Sequence, residues 1–222
     1  MTLHDAIRQL YPSNLERLAD RWVHIVGLAL ACLAGGTLLG LSIWQGGAGR
    51  ISSVTLYALC WIVMLAASAL YNMRDRSARQ GLFRRFDHAA IFLMIAGSYT
   101  PFTTQRFEGG WAIGMTAAVW AIALLGAAGK LFLPGLSKKI WVALYLALGW
   151  IALIALEPFI AGVPLPALIL LIVGGGVYTL GVAFYLIRAL PFRRAIWHGH
   201  VLAASATHYA AVLVGVVLAA PR

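Results

Sequence analysis

Seven apolar runs, each near the length of a membrane span, dominate this chain. They fall at about 22–44, 52–72, 87–104, 110–130, 140–158, 164–188 and 196–219. A helix needs about 20 apolar residues to cross the hydrocarbon core of a bilayer. The runs are continuous, without the alternation that marks a strand, and helices satisfy every backbone group internally, as lipid requires. Hydrophobic residues make up 62% of the chain and charged residues 11%. A soluble domain has about 45–50% and about 25%, so the surplus apolar surface must face lipid. The expected fold is an all-α, polytopic seven-transmembrane helix bundle. The third run is the shortest. No repeat or low-complexity segment divides the chain, so residues 1–222 read as one domain, with 1–21 as a segment preceding the first span.

The charges are arranged as a topology signal. The loops on the N-terminal side hold Arg8, Arg17 and Arg21, then Arg74, Arg76, Arg79, Arg84 and Arg85, then Lys130, Lys138 and Lys139, then Arg188, Arg193 and Arg194. The opposite side holds only Arg50, Arg106 and Arg222. By the positive-inside rule the N-terminus is cytoplasmic and the C-terminus outside, which an odd number of spans requires. The formal charge of +10 therefore does not indicate nucleic acid: the basic residues form short clusters between apolar runs, not a stripe. The expected setting is the cell (inner or plasma) membrane, with membrane lipids as partners. Cys32 and Cys60 lie inside apolar runs, with no CxxC or zinc-finger spacing. Asp5, Arg8, Glu16, Arg17 and Asp20 argue against a cleavable signal peptide at the start. Gly36 and Gly40, and the triplet Gly174-Gly175-Gly176, read as points of close helix approach.

With this topology, polar residues from four spans meet near the cytoplasmic face. Asp20 and His24 start the first span, four residues apart and so on one helix face. Ser68 and Asn72 end the second, also four apart. Asp87 and His88 start the third, and His198 and His200 start the seventh. His208 lies deeper, near mid-membrane, where a histidine must bond inward. His200 lies two residues from His198, on roughly the opposite face. Each has a structural reading beside the functional one. His24 would bond Asp20, Asp87 would cap the third helix, Ser68 would bond back to a carbonyl one turn earlier, and His88 and His200 would be interfacial or structural. Arg84 and Arg85 would be headgroup anchors.

These residues carry a family resemblance. Ser68-Ala-Leu-Tyr-Asn72, Arg85-Phe-Asp87-His88-Ala-Ala-Ile-Phe92, Ile95-Ala-Gly-Ser-Tyr-Thr-Pro-Phe102, Gly175-Gly-Val-Tyr-Thr-Leu-Gly-Val-Ala-Phe-Tyr185, Ala195-Ile-Trp-His198 and His208-Tyr209 together resemble the bacterial hemolysin III family. That family is related to the progestin and adiponectin receptors and, more distantly, to the alkaline ceramidases. The resemblance implies a seven-helix bundle with a zinc site near the cytoplasmic face. A histidine four residues after the second-helix serine, and a His-x-x-x-His at the start of the seventh, would hold the metal. The aspartate of the third helix would position a metal-bound water. Three imidazoles leave a fourth position open, and zinc lowers the pKa of water bound there.

At two of these positions the chain departs from the pattern. Asn72 stands where the second-helix histidine is expected, and Arg194 where the first histidine of His-x-x-x-His is expected. Asparagine is a poor zinc ligand, and arginine does not deprotonate to bind metal. Two arrangements follow. In the favoured one zinc is absent, and Arg194 replaces the metal's charge by pairing with Asp87. In the other a rearranged site uses Asp87, His88 and His198 with His24 or Asp20. Ser68 and Asp87 are the candidate catalytic residues, and His198, His88 and His24 the candidate metal ligands. The leading functional expectation is a membrane protein acting in membrane-lipid or membrane homeostasis. The alternative is a zinc-dependent lipid-amide hydrolase, with a cytolysin and a proton-coupled transporter using Asp87 and His208 as weaker readings.

Overall fold

The computed structural model describes residues 11–74, 79–133 and 135–220. Asp5, Arg8, Arg76 and Arg222, used above, lie outside the described residues. Seven helical segments follow in order: α1 (Asn14–Gln45), α2 (Ala48–Met73), α3 (Gln80–Gln105), α4 (Gly109–Phe132), α5 (Lys138–Gly162), α6 (Leu165–Leu186) and α7 (Arg193–Val217). No strand is found among the described residues. Six of the seven are long and apolar enough to cross a membrane; α3 is the exception. The outward faces carry large apolar side chains, such as Trp44 at 79% exposure and Phe132 at 77%. A continuous coat of that kind fits lipid rather than water.

The exception has a physical cause. α3 packs extensively against α2 and α4, and from its second third onward buries residues throughout, from Asp87 and Ala89 to Phe102 and Thr103. A helix enclosed by protein has no need of a lipid-compatible surface. It is also longer than expected: the run at 87–104 extends back to Gln80. Asp87 therefore lies in the helix interior, well past the N-cap Arg79, and the capping role expected for it is not the one it has. Pro101 removes one backbone donor inside α3. Around it the hydroxyls of Thr100 and Thr104 bond the carbonyls of Ala96 (2.9 Å) and Thr100 (2.7 Å).

Helix ends differ from the apolar runs for local reasons. α1 begins eight residues early because Ser13 caps it, its hydroxyl accepting from the Glu16 backbone N–H at 3.2 Å. α5 is not one continuous α-helix. It runs as Lys138–Gly149, a 3₁₀ segment at Ile151–Ala155, and Leu156–Gly162. Pro158 cannot donate to a carbonyl one turn earlier, which favours a break there. Tyr99 of α3 repairs the gap: its hydroxyl donates to the Gly149 carbonyl at 2.7 Å and accepts from the Ala152 N–H at 3.2 Å. Backbone groups freed inside a bilayer need such partners. α7 ends in a π-helical turn, Leu213–Val217, whose Gly215 carbonyl accepts from Arg106 Nε at 2.6 Å.

Close helix approach falls in the glycine triplet, as expected, but not at Gly36 and Gly40. Gly36 and Gly40 have nothing within 4 Å of where a Cβ would sit, so they are not a packing pair within this chain. In the triplet, Gly174 is pressed against α7, where a Cβ would lie 2.4 Å from His208 Nδ1, whereas Gly176 faces open space. A pattern of small residues does not reveal which helix face is covered.

Candidate functional site

The start of α1, the end of α2 and the start of α7 converge, and their polar side chains form a ring with Tyr11. The Tyr11 hydroxyl donates to Asp20 Oδ2. The other carboxylate oxygen, Oδ1, meets His198 Nδ1 at 2.5 Å. One turn along α1, His24 Nδ1 bonds the Asp20 backbone carbonyl at 2.7 Å, and its Nε2 faces Ser68 Oγ at 3.2 Å. Asn72 donates through Nδ2 to the Ser68 carbonyl (2.9 Å) and to Ser68 Oγ (3.2 Å). Arg194 then donates to Asn72 Oδ1. Its guanidinium lies over the rings of Tyr11, at 5.2 Å, and Tyr71, at 5.6 Å. The ring thus returns to Tyr11.

Burial makes these bonds matter. Asp20 is 1% exposed and His24 5%, and a buried polar group left unpaired costs about 1–3 kcal/mol. The i, i+4 spacings 20/24 and 68/72 put each pair on one helix face, as expected. His198 and Arg194 are likewise four apart, so α7 presents both to the same partners. His24 bonds the Asp20 backbone rather than its carboxylate, from which its Nδ1 is 3.9 Å away. Ser68 faces His24 and Asn72 across the site. Burial, and next the Asp20 carboxylate, push the Tyr11 phenol up from its ordinary pKa, which keeps it a donor.

Six of the sequence candidates, Asp20, His24, Ser68, Asn72, Arg194 and His198, therefore meet. Asp87 lies beside the ring, buried, within reach of Ser68 and of electrostatic interaction with His198 and Arg194. The expected pairing of Arg194 with Asp87 is not the bond formed: the guanidinium bonds Asn72. His88 stands apart, its Nε2 4.0 Å from Asp87 Oδ2 and its backbone carbonyl accepting from Tyr145 at 2.9 Å. His200 bonds the Ile196 carbonyl at 2.8 Å and packs on Phe184. His208 bonds the Ala204 carbonyl at 2.9 Å. Tyr11 and Tyr71 escaped the sequence reading. Tyr11 precedes the first span, and nothing in its neighbours signals that it folds back onto Asp20.

Below the ring lies a cavity of about 820 Å³, within the range of about 300–1,000 Å³ typical of small-molecule sites. One end is lined by His24, Ser68, Asn72, Asp87, Arg194 and His198, and the remainder largely by apolar and aromatic side chains such as Met94, Phe102 and Phe159. His208 and Tyr178 reach its wall.

The chain has relatives of known sequence. Residues 15–209 match the family described as Haemolysin-III related. The chain belongs to the haemolysin III family. Its relatives include the hemolysin-3 homolog of Bacillus subtilis (strain 168), 31% identical over 198 residues, covering 89% of this chain and 93% of that protein. Hemolysin-3 of Bacillus cereus is 31% identical over 200 residues, covering 89% of this chain and 90% of that protein. With six spanning-length apolar helices, this family member is a multi-pass membrane protein.

The donor set can be tested against the zinc that the resemblance implies. At the two substituted positions the fit fails: Asn72 and Arg194 bond each other and leave His198 as the one histidine of the expected three. A different group brings the correct atom types together, since ligand atoms of Asp20, His24 and His198 all lie within 4.8 Å of one another. Two imidazoles and a carboxylate are a known zinc set. In this geometry, however, the Asp20–His198 contact is a direct hydrogen bond, and one His24 nitrogen is committed to a backbone carbonyl.

Proposed function

We propose that this haemolysin III family member is a lipid-handling protein of the cell (inner or plasma) membrane, acting in membrane-lipid or membrane homeostasis without the family's metal chemistry. The observation that carries this reading is the Arg194–Asn72 bond. It spans the two substituted ligand positions and supplies a permanent positive charge where the family pattern has a dication. The amphiphilic cavity, polar at one end and apolar beyond, supports a lipid as the thing handled. The basic-loop asymmetry supports a cytoplasmic N-terminus, which sets the ring at the cytoplasmic leaflet.

Metal analysis of gently purified protein, together with extraction of its bound lipid, tests the reading. Less than about a tenth of an equivalent of zinc with lipid retained agrees with it. One equivalent of zinc, lost in His198→Ala, would overturn it. That outcome belongs to the second reading, a zinc-dependent lipid-amide hydrolase, which the Asp20, His24 and His198 grouping favours. In that case these three would be the ligands, and Asp87 and Ser68, beside them, would accept and orient protons. Chelator-sensitive release of fatty acid from a ceramide-like amide is its signature.

A further inference from the structure

The cavity is strongly unbalanced in charge. Among the described residues lining it are five cations, Arg84, Arg85, Lys130, Lys138 and Arg194, and one carboxylate, Asp87. Arg194 is committed to Asn72 and Arg85 donates to the Leu131 carbonyl at 3.0 Å. The remaining three, Arg84 on α3, Lys130 near the end of α4 and Lys138 at the start of α5, have no carboxylate within ion-pair distance among the described residues. Both lysines are held on aromatic walls of the cavity: Lys130 Nζ lies 4.7 Å from the Trp141 ring and Lys138 Nζ 3.6 Å from the Tyr185 ring. A lysine serving only as a topology signal would extend toward lipid headgroups at the surface. Arg84 and Lys138 are exposed, so the cavity reaches the surface at this charged end.

His88 supplies an independent sign. Its Nδ1 is buried and has no hydrogen-bond partner. Its other ring nitrogen, Nε2, lies 4.0 Å from Asp87 Oδ2, and the cations Lys130, Arg84, Arg194 and Lys138 act on the ring electrostatically. With its proton on Nδ1, this ring donates to an acceptor oxygen brought from outside, which completes the unpaired nitrogen. Buried polar atoms without partners are uncommon and call for such an explanation.

We propose that the cavity binds an anionic phospholipid, its phosphate oxygens set against Arg84, Lys130, Lys138 and His88 Nδ1, and one acyl chain running inward past Met94 toward Phe102 and Phe159. The proposal rests on the lipid-handling reading and names the class of lipid. Three cations on separate elements suit a headgroup with several charged oxygens better than a carboxylate with two. Basic pockets between membrane helices are established headgroup sites.

Native mass spectrometry of the delipidated full-length protein tests it, with phosphatidic acid, phosphatidylcholine, oleic acid and inorganic phosphate as separate probes. Phosphatidic acid is expected to bind about tenfold more tightly than phosphatidylcholine, a ratio in keeping with neutralising one or two charges. The triple variant Arg84→Gln, Lys130→Gln, Lys138→Gln abolishes that preference, and Lys130→Arg with Lys138→Arg retains it. His88→Phe, which keeps an aromatic ring but removes both nitrogens, weakens phosphatidic acid severalfold and leaves phosphatidylcholine unchanged. It serves as the test should the triple variant fail to fold. Equal binding of phosphatidylcholine overturns the charge selection while leaving lipid handling intact. Tighter binding of oleic acid overturns the phosphate assignment alone. Binding of inorganic phosphate as tight as that of phosphatidic acid overturns the placement of the chain. Binding of no lipid overturns this proposal and the reading beneath it together.

Discussion

At the scale of single residues, the site turns on what holds Asp20. Its buried carboxylate has side-chain bonds from Tyr11 and His198. His198→Ala removes one and leaves a buried acceptor, at an expected cost of about 1.5–3 kcal/mol, read as a lowered Tm in detergent. His200→Ala, two residues on, removes a ring that bonds only its own helix, and the Tm should fall by clearly less. Asn72 and Arg194 invite the reverse experiment. The double variant Asn72→His, Arg194→His restores three histidines at the family positions, and should gain one zinc per chain where the parent gains none. Elemental analysis of the two proteins decides this. If the variant stays metal-free while folded, the ring is not a substituted metal site, because the geometry needed for three imidazoles would then be missing. Arg194 also explains why the sequence pattern alone misassigned its partner. Asp87 is the nearer guess by charge, but a guanidinium over two tyrosine rings with a planar amide acceptor in front is already satisfied.

At the scale of elements, α3 and α5 depend on one another through one hydroxyl. Tyr99 bonds both sides of the break in α5. Tyr99→Phe keeps the ring against Phe159 but strands a carbonyl and an N–H in a lipid-enclosed setting. We expect a loss of about 1–3 kcal/mol, and faster hydrogen exchange confined to residues 149–155. The α6–α7 contact can be tested within the glycine triplet. Gly174→Ala drives a methyl into His208 and Thr207, whereas Gly176→Ala meets nothing within 4 Å. Overpacking costs about 1–3 kcal/mol, so the first variant should lower the Tm and the second should leave it unchanged or slightly raised. An equal effect of the two would mean that α6 is rotated about its axis from the orientation described.

At the scale of the whole molecule, the seven helices of the described residues enclose a cavity whose polar ring and basic mouth lie at the same end. The basic-loop asymmetry predicts that a phosphatase reporter fused after α7 is active outside the cell, and that one fused in the loop after α2 is inactive. The opposite pattern would put the ring at the outer leaflet. From the sequence itself one could determine that the chain crosses a membrane, with seven helices and polar residues of four of them at one end. Lipid demands long apolar runs, and the i, i+4 pairs 20/24 and 68/72 fix faces locally, so these features are written along the chain. Only the tertiary structure decided that His24, Ser68, Asn72, Arg194 and His198 meet and that His88 does not, that Tyr11 folds back onto Asp20, and that Gly174 rather than Gly36 or Gly40 is pressed against a neighbouring helix. Those outcomes depend on the rotation of each helix about its own axis. In a chain so uniformly apolar, burial in protein and exposure to lipid select the same residue types, and the sequence carries little record of which face turned inward.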